Sequence, residues 1–181
     1  MSHVTPVDLD AIVRRIPNHP KPGILFFDLM PLFEDPAGLG HCVERIGEWG
    51  AERRVDVVVG AEARGFILGG AIAHRLGVGF AAARKPGKLP SDTVRHEYEL
   101  EYGTDALELH QDAIAPGARV LVHDDLLATG GTALATCKLV EKLGGVVAGV
   151  AFIAELTFLP GREKLAGYDV MSLITFGVEA A

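Results

Sequence analysis

A strand, a pair of carboxylates and a glycine-rich loop follow one another in Val120-Leu121-Val122-His123-Asp124-Asp125-Leu126-Leu127-Ala128-Thr129-Gly130-Gly131-Thr132. The first residues form a short, β-branched and apolar run, which predicts a buried strand. Asp124 and Asp125 close that run, and the loop after them leads into an apolar helix predicted over 133–143. In an open parallel α/β sheet, ligands bind outside the carboxyl ends of the strands, so we expect a binding site at this loop.

The loop has the composition of a phosphate-binding turn. Gly130 and Gly131 allow the backbone to approach a ligand closely, so several N–H groups can converge on one anion. The first turn of the following helix adds unpaired N–H groups and the positive end of the helix dipole. The hydroxyls of Thr129 and Thr132 can donate further hydrogen bonds. These features together predict a site for a phosphate monoester.

Asp124 and Asp125 favour a different part of the ligand. Two carboxylates would repel a phosphate placed beside them, but they accept hydrogen bonds from a neutral diol such as the 2′- and 3′-hydroxyls of a ribose. Phosphate at the loop and diol at the carboxylates describe a ribose 5-phosphate. The alternative is an ordinary strand-to-helix turn, with a capping Thr and a Gly for the turn.

Composition limits the class of protein. The chain has 181 residues, 49% of them hydrophobic, and we expect one domain over 1–181 with a substantial core. No apolar run reaches the length of a membrane span, and we expect no signal peptide. Cys42 and Cys137 are far apart and lack metal-ligand spacing, which favours reduced packing thiols and a cytoplasmic location. The net charge of −7 argues against a nucleic-acid partner.

The pattern of the chain predicts a parallel α/β sheet with helices on both faces. Thr5-Pro6-Val7-Asp8 starts a helix whose apolar positions Leu9, Ile12, Val13 and Ile16 recur at helical spacing. Residues 23–28 are predicted to be extended, and Asp35-Pro36 opens a second helix. Further strands are predicted over 55–60, 77–83, 146–156 and 170–176, with helices ending near Leu76 and spanning 161–165.

A second strand-to-helix turn and a basic loop supply positive charge to the same side of the sheet. Arg64 could hold a pyrophosphate through paired N–H groups, or lie on the surface paired with Glu62. The loop 84–95 contains Arg84, Lys85 and Lys88 among prolines and glycines. A pyrophosphate with Mg²⁺ is a plausible target for this cluster, and a solvated loop with scattered charges is the alternative.

An alternating segment predicts a β-hairpin arm. From His96 to Tyr102, acidic and apolar residues alternate with period two, and Leu107 and Leu109 continue the pattern after a turn around 103–105. Such an arm could fold over the site and exclude water. Sequence alone does not separate Glu101 from Glu99 as a functional carboxylate, and a solvated strand face would explain both.

The 120–132 segment resembles the phosphoribosyl-pyrophosphate motif of the type I phosphoribosyltransferases, and most closely that of the adenine-specific family. The resemblance extends over nearly the whole chain in matching order. Further matching segments are Lys21-Pro22-Gly23-Ile24-Leu25-Phe26, Glu62-Ala63-Arg64-Gly65-Phe66, Arg84-Lys85-Pro86-Gly87-Lys88-Leu89-Pro90 and Leu100-Glu101-Tyr102-Gly103. It implies the fold of that family: a parallel sheet with flanking helices, a small hood and a flexible β-arm.

The resemblance also implies roles for individual residues. The ribose 5-phosphate would be bound by Asp124, Asp125, Ala128, Thr129, Gly130, Gly131 and Thr132. The pyrophosphate would be bound by Arg64, Arg84, Lys85, Lys88 and Tyr102, and the resemblance allows a partner subunit to supply some residues of the basic loop. Adenine would contact the Phe26 ring, backbone groups of Leu25 and Phe27, and Leu156, while Glu101 would be the acid/base group facing purine N7.

The implied reaction transfers the phosphoribosyl group of 5-phospho-α-D-ribosyl 1-diphosphate to adenine, giving AMP and pyrophosphate. The resemblance implies that Mg²⁺ is bound through the substrate and that the protein holds no metal directly. A homodimer is implied. Two departures stand out: the family commonly has Arg where this chain has Phe27, and an apolar residue in place of His123, which we predict to be packed and hydrogen-bonded. The remaining alternatives are a transferase for another purine base and a regulator that senses phosphoribosyl pyrophosphate.

Overall fold

The structure is a computed structural model that describes residues 7–99 and 103–177, with the side chain of Glu99 excluded. The helices of this part are α1 (Leu9–Ile12), α2 (Met30–Glu34), α3 (Pro36–Glu52), α4 (Gly65–Leu76), α5 (Gly131–Lys142) and α6 (Gly161–Lys164). The strands are β1 (Arg14–Pro17), β2 (Leu25–Asp28), β3 (Val57–Ala61), β4 (Gly79–Ala83), β5 (Thr93–Glu99), β6 (Thr104–His110), β7 (Arg119–Leu127), β8 (Val146–Leu156) and β9 (Val170–Phe176).

The central sheet has the order β4-β3-β7-β8-β9, and all its neighbouring strands are parallel. Successive residues of a strand point to opposite faces, so neighbouring apolar residues enter different cores. Val58 and Leu121 pack into the cluster that contains α3 and α4, whereas Val59 and Val122 pack into the cluster that contains α5. The predicted parallel sheet with helices on both faces is confirmed.

The β7 strand continues past the apolar run. Asp124, Leu126 and Leu127 pair in register with Phe152, Ala154 and Glu155 of β8. The two carboxylates therefore belong to the last residues of a central strand, and the loop that follows is only three residues long before α5 begins at Gly131.

The predicted first helix was wrong in length. It ends at Ile12, and Ile16 lies in β1, opposite Phe26 of β2 in an antiparallel hairpin. The helical spacing of the apolar residues extended the helix too far, because the partner strand that captures Ile16 lies ten residues later in the chain. This β1–β2 hairpin is the small hood, and the short α2 after it was not predicted.

The predicted β-arm is confirmed as a hairpin of β5 and β6, with Glu99 opposite Thr104. Its residues Leu107 and Leu109 are fully buried in the core cluster on the α5 side of the sheet. The flexibility of its tip stays a prediction. No helix in the described ranges is both long and apolar enough to cross a membrane.

Candidate functional site

An open cleft of about 420 Å³ lies at the carboxyl ends of β3 and β7. It is formed where the loop after β3 faces the loop after β7, as expected for a sheet of this topology. Its lining residues are Glu62, Ala63, Arg64, Asp124, Asp125, Leu126, Leu127, Ala128, Thr129, Gly130, Gly131, Thr132, Ala133 and Phe152. All seven residues predicted to bind the ribose 5-phosphate line this one cleft.

The glycine-rich loop ends at the N-terminus of α5. Gly130 is the N-cap residue and has φ 77°, a left-handed conformation that costs glycine least. Because glycine has no side chain, Gly130 makes no side-chain capping hydrogen bond to the first turn of α5. That turn begins with Gly131 and Thr132. The N–H groups of that turn and the positive end of the helix dipole are therefore available to an anion in the cleft.

The two carboxylates are partly withdrawn from water, with Asp124 half-buried and Asp125 buried. Asp125 is only 3% exposed, and its backbone N–H donates to Asp124 Oδ1 at 2.9 Å. Burial raises the pKa of Asp124 well above its usual value, and the adjacent Asp125 carboxylate raises it further. Burial also raises the pKa of Asp125, although the Arg64 guanidinium opposes that change. Such a pair retains a proton more readily than free aspartates do.

Arg64 faces these carboxylates across the cleft. Its Nε lies 2.5 Å from Asp125 Oδ2, while its side chain remains 52% exposed. Glu62, which the alternative interpretation placed beside Arg64, instead accepts a hydrogen bond from the Lys85 backbone N–H at 2.8 Å and lies 3.5 Å from Arg84 Nε. Arg64 thus presents a partly free guanidinium to the cleft, next to the two acidic residues.

The basic loop lies next to the cleft but does not enter it. Arg84 Nη1 donates to the carbonyl oxygen of Lys88 at 3.0 Å, and Lys85 Nζ is paired with Asp105 of β6. Within the described part of the chain, none of Arg84, Lys85 and Lys88 lines the cleft. For a pyrophosphate in the cleft, their predicted role would require the loop to turn toward it or a contribution to a neighbouring subunit.

The β-arm touches the first turn of α5 through Tyr98. The Tyr98 hydroxyl lies 3.4 Å from Thr132 Oγ1 and donates to Asp105 Oδ2 at 3.2 Å. The same Asp105 carboxylate accepts from Lys85, and that hydrogen bond lowers the pKa of Asp105. This chain of contacts connects the basic loop, the arm and the first turn of α5.

A second, small cavity of about 20 Å³ lies where the hood meets the cleft. Its lining residues are Phe26, Phe27, Asp28, Leu29, Met30, Arg64, Asp125 and Leu126. Arg64, Asp125 and Leu126 border both cavities, so the predicted base-binding residue Phe26 adjoins the predicted ribose site. Phe26 is half-buried, with its ring edge-on to His19 at a centroid distance of 5.0 Å.

Phe27 is part of the core. Its ring is 6% exposed and stacks on Phe176, with centroids 4.0 Å apart and an interplanar angle of 11°. Phe176 ends β9 and is paired in register with Leu156, the last residue of β8. The predicted base-contacting residues Phe26 and Leu156 are thus connected through Phe27 and Phe176.

His123 is confirmed as a packed, hydrogen-bonded residue. It is fully buried, and its Nδ1 lies 2.9 Å from the carbonyl oxygen of Ala151. Burial lowers its pKa to about 4, so the ring is neutral near pH 7. Glu101 and Tyr102, the remaining predicted site residues, lie outside the described residues.

Several residues of the site were not predicted from the sequence. Ala63 and Phe152 line the cleft, and Tyr98 and Asp105 join the arm to it. The position of Ala63 between Glu62 and Arg64 was a usable signal, because it lies in the same strand-to-helix turn. Tyr98 and Phe152 are distant from the loop in sequence, and only the folded sheet brings them together.

Comparison with known proteins gives a consistent result. A family model described as a phosphoribosyl transferase domain matches residues 39–171. An adenine phosphoribosyltransferase of Koribacter versatilis (strain Ellin345) is 56% identical over 168 residues, which cover 93% of this chain and 92% of that protein. The crystal structure of adenine phosphoribosyltransferase from Thermoanaerobacter pseudethanolicus is 51% identical, with a TM-score of 0.89 over 93% of this chain and 98% of that one.

A third relative was solved with ligands. The adenine phosphoribosyltransferase of Saccharomyces cerevisiae, complexed with adenine and an iminoaltritol bisphosphate, is 40% identical, with a TM-score of 0.86 over 92% of this chain and 96% of that one. The cleft geometry, the family model and these relatives agree with one another. The chain belongs to the adenine phosphoribosyltransferase family of phosphoribosyl transferases.

Proposed function

We propose that this chain transfers the 5-phosphoribosyl group of 5-phospho-α-D-ribosyl 1-diphosphate to adenine, giving AMP and pyrophosphate, and that the cleft at the end of β7 is where it does so. The observation that carries the proposal is the arrangement of Asp124 and Asp125 beside Arg64 and beside the N-terminus of α5. One cleft thereby offers acceptors for a diol and donors for a phosphate.

The ribose 5-phosphate is bound by the β7–α5 segment. The 5′-phosphate accepts hydrogen bonds from the backbone of Ala128–Gly131 and from the hydroxyls of Thr129 and Thr132. Asp124 and Asp125 accept hydrogen bonds from the ribose 2′- and 3′-hydroxyls. Because these groups lie on a central strand and on the first turn of a helix, they hold the sugar in a fixed orientation for displacement at C1′.

The pyrophosphate is bound by cationic side chains around the cleft. Arg64 already faces it, and Arg84, Lys85 and Lys88 lie in the adjoining loop. The family resemblance adds Tyr102 to the residues that bind the pyrophosphate. Mg²⁺ would be held through the oxygens of the substrate, and the carboxylate oxygens of Asp124 and Asp125 would suit the neighbourhood of such an ion because Mg²⁺ prefers oxygen ligands. When bound, the ion neutralises part of the charge of the leaving group.

Adenine is bound between the hood and the end of β8. The yeast relative was solved with adenine, which supports this base for the present chain. Phe26 stacks on the ring, backbone groups of Leu25 and Phe27 contact its edge, and Leu156 packs on the opposite face. Glu101 takes or relays the proton from N7 and so makes the base a better nucleophile, a contribution of about 10²–10⁴-fold for general-base catalysis.

The reaction is a displacement at C1′. The bond from C1′ to pyrophosphate breaks, the bond from C1′ to adenine forms, and the sugar acquires oxocarbenium-like positive charge in between. Arg64 and the basic loop stabilise the negative charge that develops on pyrophosphate. The β-arm, already in contact with Thr132 through Tyr98, closes over the site and excludes water.

We further propose a homodimer in the cytoplasm. Ile67 and Phe80 are 42% and 37% exposed in the single chain, and such large apolar side chains suit an interface between copies. A partner's basic loop would then lie near the cleft. The two buried, unpaired thiols, Cys42 and Cys137, are compatible with a reducing compartment.

The test is turnover with phosphoribosyl pyrophosphate and Mg²⁺, offering adenine, hypoxanthine and guanine separately. We expect nucleotide from adenine alone. In the double variant Asp124→Asn/Asp125→Asn we expect kcat/KM for phosphoribosyl pyrophosphate to fall by about 10²-fold or more, because two oriented acceptors for the ribose are lost. Asp112→Asn, at an exposed position away from the cleft, is the matched control and should retain full activity.

Each other result has a definite meaning. Normal turnover by the double variant would refute the ribose assignment. Turnover with another purine base would keep the ribose-phosphate site and overturn the proposed base pocket. Tight binding of phosphoribosyl pyrophosphate without turnover of any base would identify the chain as a sensor of that metabolite.

A further inference from the structure

The short helix α6 lies directly behind the phosphate loop. The backbones of Gly130 and Gly161 approach so closely that a Cβ added to Gly130 would lie 2.8 Å from the carbonyl oxygen of Gly161 and 3.1 Å from its Cα. A Cβ added to Gly161 would overlap the carbonyl oxygen of Ala128 and lie 2.8 Å from Leu127 Cδ1. The loop therefore rests on the first residue of α6, with no side chain between the two backbones.

Two side chains fix α6 to the sheet. Leu165, which follows α6, is 1% exposed and packs into the core cluster that also contains α5. Arg162 holds the other side. Its Nε donates to Glu155 Oε1 at 2.9 Å, its Nη2 is paired with Glu155 Oε2, and its Nη1 donates to the carbonyl oxygen of Val170 at 2.9 Å. The guanidinium thereby spans two neighbouring strands, β8 and β9.

The carboxylate partner of Arg162 is buried and fully engaged. Glu155 is 5% exposed, and its Oε2 also accepts from Ser172 Oγ at 2.8 Å. The hydrogen bond from Arg162 holds the pKa of Glu155 below its usual value. The Arg162 side chain is 47% exposed, but it binds a buried carboxylate with two of its nitrogens, and such a bidentate pair has a more defined geometry than a surface ion pair, so it can fix the position of α6.

We infer that Arg162 is a positioning residue for the 5′-phosphate, acting through α6. Arg162 does not line the cleft. It holds Gly161 in place. Gly161 contacts the backbones of Ala128 and Gly130 and so fixes the position of the loop relative to the sheet. The N–H groups of the loop then meet the phosphate without a reorganisation that binding would otherwise have to drive. This inference rests on the proposed function only in taking the loop as the 5′-phosphate site.

The first test measures which part of the substrate is affected. A displacement of 1 Å can cost about 10²-fold in rate, and for Arg162→Ala we expect a smaller shift, with KM for phosphoribosyl pyrophosphate raised about tenfold. KM for adenine should stay within about twofold. The inhibition constant of ribose 5-phosphate should rise in parallel, and that of pyrophosphate should not change. Arg45→Ala, which removes an exposed arginine paired with Glu48, is the matched control.

The second test separates positioning from general destabilisation. Gly161→Ala should raise the inhibition constant of ribose 5-phosphate more than Arg162→Ala does, because its Cβ displaces Ala128 directly. Gly40→Ala, in α3 with open space around the added Cβ, is its control. In a double-mutant cycle, Arg162→Ala should add little to Glu155→Gln, since the two residues act as one unit. Thermal melts of all variants identify any that fail to fold, and conclusions are drawn from the folded ones.

The outcomes separate the two proposals. If the wild-type chain forms no nucleotide, the proposed function fails and the inference is tested by ribose 5-phosphate binding alone. If the wild type is active and folded Arg162→Ala keeps its KM for phosphoribosyl pyrophosphate and its affinity for ribose 5-phosphate, the inference is overturned. An equal rise in KM for phosphoribosyl pyrophosphate and in KM for adenine would also overturn the inference, because α6 would then support the whole site and not the phosphate loop alone.

Discussion

At the scale of single residues, the site depends on charges that are brought together against their mutual repulsion. Asp124 and Asp125 are adjacent, largely removed from water and opposed by one guanidinium. The residue types were predictable, because two carboxylates after an apolar run are visible in the sequence. The pairing of Arg64 with Asp125 was not, since the sequence places Arg64 nearest to Glu62 and only the parallel alignment of β3 with β7 brings it to the carboxylates.

This arrangement predicts a specific pH dependence. Burial raises the pKa of both carboxyls, and the positive charge of Arg64 lowers it. The pair accepts the two hydroxyls best when both carboxyls are ionised and offer only acceptor oxygens, so kcat/KM for phosphoribosyl pyrophosphate should fall on the acid side. In Arg64→Gln the opposing charge is gone, so the pKa of the pair rises further and the acid limb should move to higher pH. The measurement is the pH profile of kcat/KM.

The control for this prediction is Arg75→Gln. Arg75 lies at the other end of the same helix, α4, in an exposed pair with Glu44, and its loss should leave the acid limb in place. The phosphates of the substrate titrate identically in all three assays, so they cancel in the comparison. An acid limb that does not move, or that moves to lower pH, in Arg64→Gln would show that the limb does not belong to the aspartate pair.

At the scale of elements, the central strands and helices were the predictable part. Residues 57–61 of β3, 120–122 of β7 and 146–154 of β8 carry no polar side chain, and a strand buried on both faces has that pattern. The hood was the failure, because β1 was assigned to a helix. Arg15 of β1 faces Phe27 of β2 across the hairpin, and its guanidinium carbon lies 5.8 Å from the Phe27 ring and 5.6 Å from the Phe176 ring. No local pattern reveals a contact that joins β2 to the last strand.

The stack of Phe27 on Phe176 should position the base pocket. Phe176→Ala removes the surface against which the hood rests, so Phe26 loses its fixed position. We expect KM for adenine to rise about tenfold and KM for phosphoribosyl pyrophosphate to change little, since a misplaced contact affects the substrate part that it binds. A buried Phe→Ala change costs about 3–5 kcal/mol of folding stability, so the melting temperature should also fall. Steady-state kinetics and a thermal melt measure both.

A matched variant isolates the aromatic contact. Phe176→Leu keeps most of the buried volume and loses the ring stack, so its effect on KM for adenine should be intermediate and its stability close to that of the wild type. A parallel rise of KM for both substrates in Phe176→Ala would contradict the assignment of Phe27 and Phe176 to the base side of the site. Phe27, which stands where the family commonly has Arg, would then have no structural role in binding adenine.

At the scale of the whole molecule, the sheet separates two cores that serve different parts of the site. The cluster with α3 and α4 carries the hood residue Phe27 and its stacking partner Phe176 of β9, whereas the cluster with α5 lies beneath the phosphate loop and the β-arm. The continuous apolar runs of the central strands predicted this two-sided arrangement, because a strand covered on both faces has that pattern. The arm's contact with α5 was not predictable, because it depends on how far the hairpin bends over the sheet.

Each of these two cores contains one of the chain's two cysteines, Cys42 on the α3 side and Cys137 on the α5 side. Both thiols are fully buried, so a thiol reagent can reach them only when the surrounding layer opens, and burial also raises their pKa to about 12. The chain thus carries a natural reporter of local opening in each layer, without any substitution. With the proposed ribose 5-phosphate site at the start of α5, that ligand should slow alkylation of Cys137 about tenfold or more at saturation and that of Cys42 much less.

Mass spectrometry of each cysteine peptide over a time course would measure the two rates separately. Equal protection of both thiols would mean that the two layers open only together, as one cooperative unit. Unequal protection would mean that the phosphate half of the enzyme can loosen and tighten while the base half stays closed.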